Sequence, residues 1–253
     1  MGHRDIVLYY AETTELLNEN VFLKYCDRME KERLSKIMRT GVRQNQVRSL
    51  SATYLLELGV QSLLTGKSAR NINREEAQLL RFSYKENGKP YLTDYPEIHF
   101  SMSHSGDYAA CAIGDSELGM DIQRHTGWKE GLAERFFTGK EIKLLEEKKA
   151  EGKEAYGELF FRLWSIKESY LKFTGKGMRQ GLNTFEIDWK ESAVTKKKIQ
   201  YFPEKEHFPE IEEQFPEIEG YFQEINVIPG YACCLCAGHR IEEIRAEKIS
   251  LIN

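Results

Sequence analysis

GDYAACAIG, residues 106–114, has a counterpart later in the chain, GYACCLCAG at 230–238. Each is a short apolar run of strand-forming length with glycine at both ends, and each reads as a buried β-strand. A second pair precedes them. SLSATYLL (49–56) can be laid over SIKESYLK (165–172): Ser, an aliphatic residue, two variable residues, a small hydroxyl residue, then Tyr-Leu. The two pairs are separated by nearly the same length of chain, and a short insertion accounts for the difference. HFPEIEEQFPEIEG (207–220), which repeats FPEIE, is such an insertion and reads as a hairpin tip or surface loop. These matches predict an α+β fold made by tandem duplication, with two similar halves, 1–116 and 117–253, related by a pseudo-two-fold axis. Ligand sites favour such interfaces.

The copies differ in an informative way. Where the first has Ser51, Ala52 and Leu56, the second has Lys167, Glu168 and Lys172. The helix scaffold is shared, and the charges belong to the second half alone. One half is therefore expected to supply the chemistry.

Bulk properties narrow the function class. The chain of 253 residues is 41% hydrophobic and 30% charged, as expected of a folded soluble protein. A net charge of -4 argues against a general nucleic-acid binder. No apolar run approaches the ~18–20 residues of a membrane span, and the N-terminus lacks a signal-peptide core. Cys26, Cys111, Cys233, Cys234 and Cys236 make an odd count, which points to reduced thiols in a cytoplasm. The CCLC cluster has no histidine at zinc spacing, so YACCLCA is expected to be core strand.

Around the charged residues the pattern is explicit. Residues 42–64 carry apolar positions at helical spacing. GKPYL (88–92) is a turn entering a strand, and EIHFSMSHSGDYAACAIG (97–114) reads as strand, polar turn, strand. ELGMDIQRH (117–125) alternates, placing Asp121 and Gln123 on one side. Residues 138–175 read as helix, charged connection and a second long helix ended by Gly175. On that helix Glu168 and Lys172 are i,i+4 neighbours, a spacing that is also an ordinary surface ion pair. Taken together, Asp121, Glu168, Lys167 and Lys172 suit a divalent cation facing a diphosphate. Mg²⁺ takes one or two carboxylates plus phosphate oxygens and water, and lysines supply point charges to phosphate.

GKPYL, FSMSHSGDYAACAIG, LGMDIQ, RFFTGKEIKLL and FRLWSIKESYLKFTGKGM occur in the order found in Sfp-type phosphopantetheinyl transferases, which this sequence resembles from about residue 88 to 181. The resemblance implies a pseudo-dimer of two α+β halves binding coenzyme A and Mg²⁺ (or Mn²⁺) in the cleft between them. It implies transfer of 4′-phosphopantetheine to a serine of an apo acyl or peptidyl carrier protein. Position by position, it implies Asp121 and Glu168 as metal ligands, and Lys167 and Lys172 as phosphate contacts. It also implies Ser103, His104 and Lys89 at coenzyme A, with Arg33, Lys36 and Ser49 near its 3′-phosphate. Glu168 is the expected base, and Lys172 the group that offsets or protonates the leaving phosphate. Many relatives carry a second acid where this chain has Gln123, so the three-carboxylate version of the metal site is in doubt here. Glu141 is a candidate accessory base, whereas Cys111, Trp164 and Phe160 are expected in the core and His125 at the surface. Two other readings stay open: a coenzyme A-binding module with weak or no transfer activity, and an interaction protein whose charged helix is plain scaffold. Single-chain duplication favours a monomer.

Overall fold

A computed structural model describes residues 6–72, 79–127, 131–177, 180–189, 192–196 and 220–251. The repeated FPEIE stretch falls outside the described residues except for Gly220. The chain runs through β1 (Ile6–Glu12), α1 (Glu19–Cys26), α2 (Lys31–Met38), α3 (Arg43–Thr65), β2 (Phe82–Tyr84), β3 (Pro90–Leu92), β4 (His99–Ser105), β5 (Tyr108–Gly114) and β6 (Leu118–Arg124). It continues through α4 (Leu132–Phe136), α5 (Gly139–Lys149), α6 (Lys153–Thr174), β7 (Phe185–Asp188), β8 (Ala193–Lys196), β9 (Gly220–Glu224), β10 (Tyr231–Ala237) and β11 (Ile244–Lys248). Among these residues no helix is long and apolar enough to cross a membrane.

Two larger sheets form, in the orders β11-β1-β5-β4 and β6-β10-β9-β8-β7. Strand alternation sorts their side chains into layers. Val7, Tyr9, Ala11, Cys111 and Ile113 pack under α3 with Leu55, Leu56 and Leu58. The alternate residues Ile6, Leu8, Ala110 and Ala112 face Met120, Ile122, Cys233 and Leu235 of the second sheet. Cys234, Cys236 and Phe222 turn the other way, toward Ile166 and Tyr170 of α6. The order is therefore α3, sheet, sheet, α6, with an apolar core in each gap. Both long helices stop at a glycine in the left-handed region, Gly66 at φ 68° and Gly175 at φ 71°, where a Cβ would be strained. The thiols of the CCLC strand are buried, and burial pushes the Cys233 and Cys234 pKa values up.

The sheets meet at two edge strands through a device the sequence does not advertise. Ser101, Ser103 and Ser105 alternate along β4. Their hydroxyls accept the N–H groups of Met120, Ile122 and Arg124 on β6, at 2.9, 3.3 and 3.0 Å. Side-chain oxygens thus replace a backbone ladder and satisfy an otherwise orphaned strand edge. The repeat tyrosines also meet: the Tyr108 and Tyr231 rings lie edge to face at 5.3 Å. The C-terminal β11 does not stay with the second sheet; it pairs in parallel with β1.

Candidate active site

The second sheet and α6 approach unusually closely at Gly119. A Cβ built there would lie 2.0 Å from the Ser169 carbonyl oxygen and 2.2 Å from the Phe173 nitrogen. Only glycine lets helix backbone and strand backbone touch in this way. Ser165 of α6 also donates to the Asp121 carbonyl at 3.1 Å. These contacts fix the register of α6 on β6 and set Glu168 and Lys172 beside Asp121.

Asp121 is 6% exposed. Its Oδ1 accepts from the Ser103 hydroxyl at 2.8 Å and from Lys172 Nζ at 2.8 Å. Lys172 Nζ also donates to Ser103 Oγ at 2.8 Å, closing a triangle. Asp121 Oδ2 is buried with no hydrogen-bond partner among the described residues. Glu168 lies close enough to be felt: its pKa is raised first by burial and then by the Asp121 charge, with Lys172 opposing. A buried carboxylate oxygen without a donor, next to a second desolvated carboxylate, is a donor set that suits a divalent cation. Among the described residues no three His, Cys, Asp or Glu side chains converge on one point. The set is two carboxylates, with the amide of Gln123 next along the same face of β6.

On the β4 side, the His104 ring nitrogen Nε2 lies 3.2 Å from Ser49 Oγ of α3. Burial, then Lys172 and Arg48, lower the His104 pKa to about 4, so the ring is neutral at pH 7. A pocket of about 290 Å³ is lined by Asn87–Pro90, Phe100–Met102, Glu168, Leu171 and Lys172. Arg33 and Lys36 stand on α2 against β2. Arg33 donates to Thr53 Oγ1 at 3.1 and 3.0 Å, and Lys36 Nζ sits 3.1 Å from the Tyr84 ring centre.

Two expected site residues have other occupations. Lys167 is 0% exposed and is removed from the phosphate-contacting set. Its ammonium donates to the Leu182 and Phe185 carbonyls, both at 2.7 Å, and pairs with Glu141 Oε2 at 2.9 Å. Those three acceptors match the three N–H donors of a lysine. Glu141 is its counterpart rather than a base: it also accepts the Thr138 N–H at 2.9 Å in a capping box, and the Ile187 N–H at 3.3 Å. The pair ties α6, the start of α5 and the start of β7 together. Lys89 lines the pocket, but its ammonium is held by Glu117 at 2.6 Å and by the Leu118 and Phe173 carbonyls at 3.1 and 2.9 Å. It clamps the turn before β3 onto the end of α6. His125 is half-buried rather than a surface residue and stacks on Phe161 at 5.7 Å.

Two acids and a lysine thus meet where β4, β6 and α6 come together in a layered α+β fold. Residues 117–236 match the model of the 4′-phosphopantetheinyl transferase superfamily. The 4′-phosphopantetheinyl transferase psf-1 of Bacillus pumilus is 43% identical over 104 residues, 41% of this chain and 43% of that one. The 4′-phosphopantetheinyl transferase Sfp of Bacillus subtilis (strain 168) is 30% identical over 183 residues, 71% of this chain and 74% of its own length. The 4′-phosphopantetheinyl transferase gsp of Aneurinibacillus migulanus is 30% identical over 207 residues, 81% of each chain. The chain belongs to the Sfp-type 4′-phosphopantetheinyl transferase family. It is an enzyme of that type, transferring phosphopantetheine to carrier proteins.

Proposed function

We propose that this enzyme takes the 4′-phosphopantetheine group from coenzyme A and places it on a serine of an apo acyl or peptidyl carrier, releasing adenosine 3′,5′-bisphosphate. The observation that carries the reading is the meeting of Asp121 and Glu168, far apart in sequence, with Lys172 between β6 and α6 and one carboxylate oxygen left unpartnered. Asp121 and Glu168 would hold a Mg²⁺ or Mn²⁺ ion, with Gln123 adding a neutral oxygen. Such an ion supplies charge neutralisation across the two phosphates when bound.

The remaining chemistry belongs to side chains. Glu168, its pKa raised by burial, is suited to accept the carrier serine proton. The serine oxygen then bonds to the phosphorus bearing pantetheine, and the bond from that phosphorus to the bridging oxygen breaks. Lys172 offsets the charge that develops on the departing phosphate. His104 and Ser49 provide donors for phosphate oxygens, Ser103 holds Asp121 and Lys172 in place beside them, and Arg33 and Lys36 form a basic seat for the 3′-phosphate. The turn carrying Lys89 forms a wall of the cleft. A tandem duplication into halves 1–116 and 117–253 fits the meeting of Tyr108 with Tyr231 and of β4 with β6. A monomer working in the reducing cytoplasm fits the free cysteines.

The test is intact-protein mass spectrometry of an apo carrier incubated with the enzyme, coenzyme A and Mg²⁺. The carrier gains the mass of phosphopantetheine, EDTA stops the gain, and Glu168→Gln slows it by roughly 10²-fold or more while coenzyme A still binds. An unmodified carrier across a panel would favour the coenzyme A-binding module. Near-normal turnover by the Glu168 variant would remove it as base.

A further inference from the structure

Glu57 is an acid that the reaction leaves unused. It lies within α3, 6% exposed, and its Oε1 is buried with no hydrogen-bond partner among the described residues. A buried carboxylate oxygen without a donor is costly when charged. The side chain is one helical turn beyond Thr53, whose hydroxyl accepts two bonds from the Arg33 guanidinium at 3.1 and 3.0 Å. Arg33 of α2 and Arg28 of the turn before it are the two charges that act on Glu57, and no second acid does so among the described residues. Neither guanidinium bonds to its Oε1. Glu30, at the head of α2, is spent on the amides of Glu32 and Arg33. Burial raises the Glu57 pKa to about 8 against the pull of Arg28 and Arg33, so the side chain carries its proton at pH 7.

We infer that Glu57 is a positioning residue behind the 3′-phosphate seat: uncharged, it leaves the Arg33 guanidinium to the phosphate, and ionised, it claims that charge, so a proton on α3 sets the preference for coenzyme A over its 3′-dephospho form. This rests on the reading of Arg33 and Lys36 as that seat. An ionised Glu57 has no donor on Oε1 and gains one by drawing a guanidinium inward, which for Arg33 means leaving Thr53. That withdraws a phosphate partner and adds a negative charge beside the seat, and both weaken a bound dianion. The sign follows. A bound 3′-phosphate favours the protonated acid, so binding takes up a proton wherever Glu57 is ionised, and affinity falls as pH rises through about 8.

The test is calorimetry of the wild type with coenzyme A and with 3′-dephospho-coenzyme A at pH 7 and pH 9, at one Mg²⁺ concentration. The ratio of the two affinities cancels what the diphosphate, the ion, Glu168 and Lys172 contribute. The 3′-phosphate, with a second pKa of about 6, is a dianion throughout. The ratio is expected to fall about three- to tenfold from pH 7 to pH 9, tenfold being the limit for a group that titrates near 8 and must be protonated. At pH 8, coenzyme A takes up more protons on binding than its dephospho form, read from buffers of different ionisation enthalpy. Glu57→Gln, permanently neutral, gives a ratio that is flat with pH, and Arg33→Ala lowers the ratio at pH 7. A wild-type ratio well above one that does not change with pH, or the same fall in folded Glu57→Gln, overturns the inference while the seat stands. A ratio near one at pH 7, unmoved in Arg33→Ala, overturns the seat and the inference with it. The wild-type profile and proton count decide the matter even where a variant does not fold.

Discussion

Asp121 presents two carboxylate oxygens in different surroundings. One is fixed by Ser103 and Lys172, and the other is buried without a donor among the described residues. That asymmetry marks the site, and no feature of LGMDIQ alone discloses it. Nearby, His104 is held neutral by burial, Lys172 and Arg48. Its pKa in the fold, about 4, lies below the ordinary 6.5, so the fold favours the uncharged ring. The stability this contributes is present above pH 6.5 and is lost as pH falls toward 4. His104→Gln, which keeps a polar neighbour for Ser49, should therefore lose less stability between pH 7 and pH 4.5 than wild type. The expected difference is roughly 1–2 kcal/mol after allowance for partial exposure, read from urea midpoints at the two pH values. The alternation around Asp121 and the i,i+4 spacing of Glu168 and Lys172 were legible in the sequence. The direction of Lys167 was not. Adjacent residues on a helix point about 100° apart, and only the tertiary partner Glu141 decides that one charge faces the cleft and its neighbour the core.

At the scale of elements, α6 against β6 is the contact on which the site depends. Gly119 lies at the point of closest approach, and its alternate neighbours Leu118 and Met120 fill the core between the sheets. Gly119→Ala places a methyl into helix backbone rather than a yielding side chain. It should lower unfolding free energy by at least about 2 kcal/mol and reduce carrier loading further than that loss explains. Urea denaturation beside the loading assay checks both, and an unperturbed midpoint would mean that the helix can shift aside. Apolar periodicity and terminal glycines placed the long helices and the paired strands closely. Gly175 ends α6 as its position in the sequence suggests. The serine contact between β4 and β6 was not legible. FSMSHS shows small polar residues at alternate positions, but nothing local says that they meet the backbone of a strand from the other sheet.

Across the whole molecule, two sheets lie face to face between two long helices, and the acids, the neutral histidine and Lys172 gather where the sheet edges meet. The matched stretches of the sequence are strands β5 and β10 and parts of helices α3 and α6, as the repeat reading expected of each stretch. It did not foretell that β11 would cross back to pair with β1, because parallel pairing at long range leaves no local pattern. The close edge contact through serine hydroxyls makes the cleft a property of β4 and β6 together, so a ligand bound there reports on their union. The most direct test is an anomalous diffraction measurement on crystals grown with Mn²⁺ and coenzyme A. A manganese peak within coordination distance of Asp121 Oδ2 and a Glu168 carboxylate oxygen, facing the diphosphate, is the expected result. Ordered coenzyme A with manganese bound away from both side chains would contradict the account.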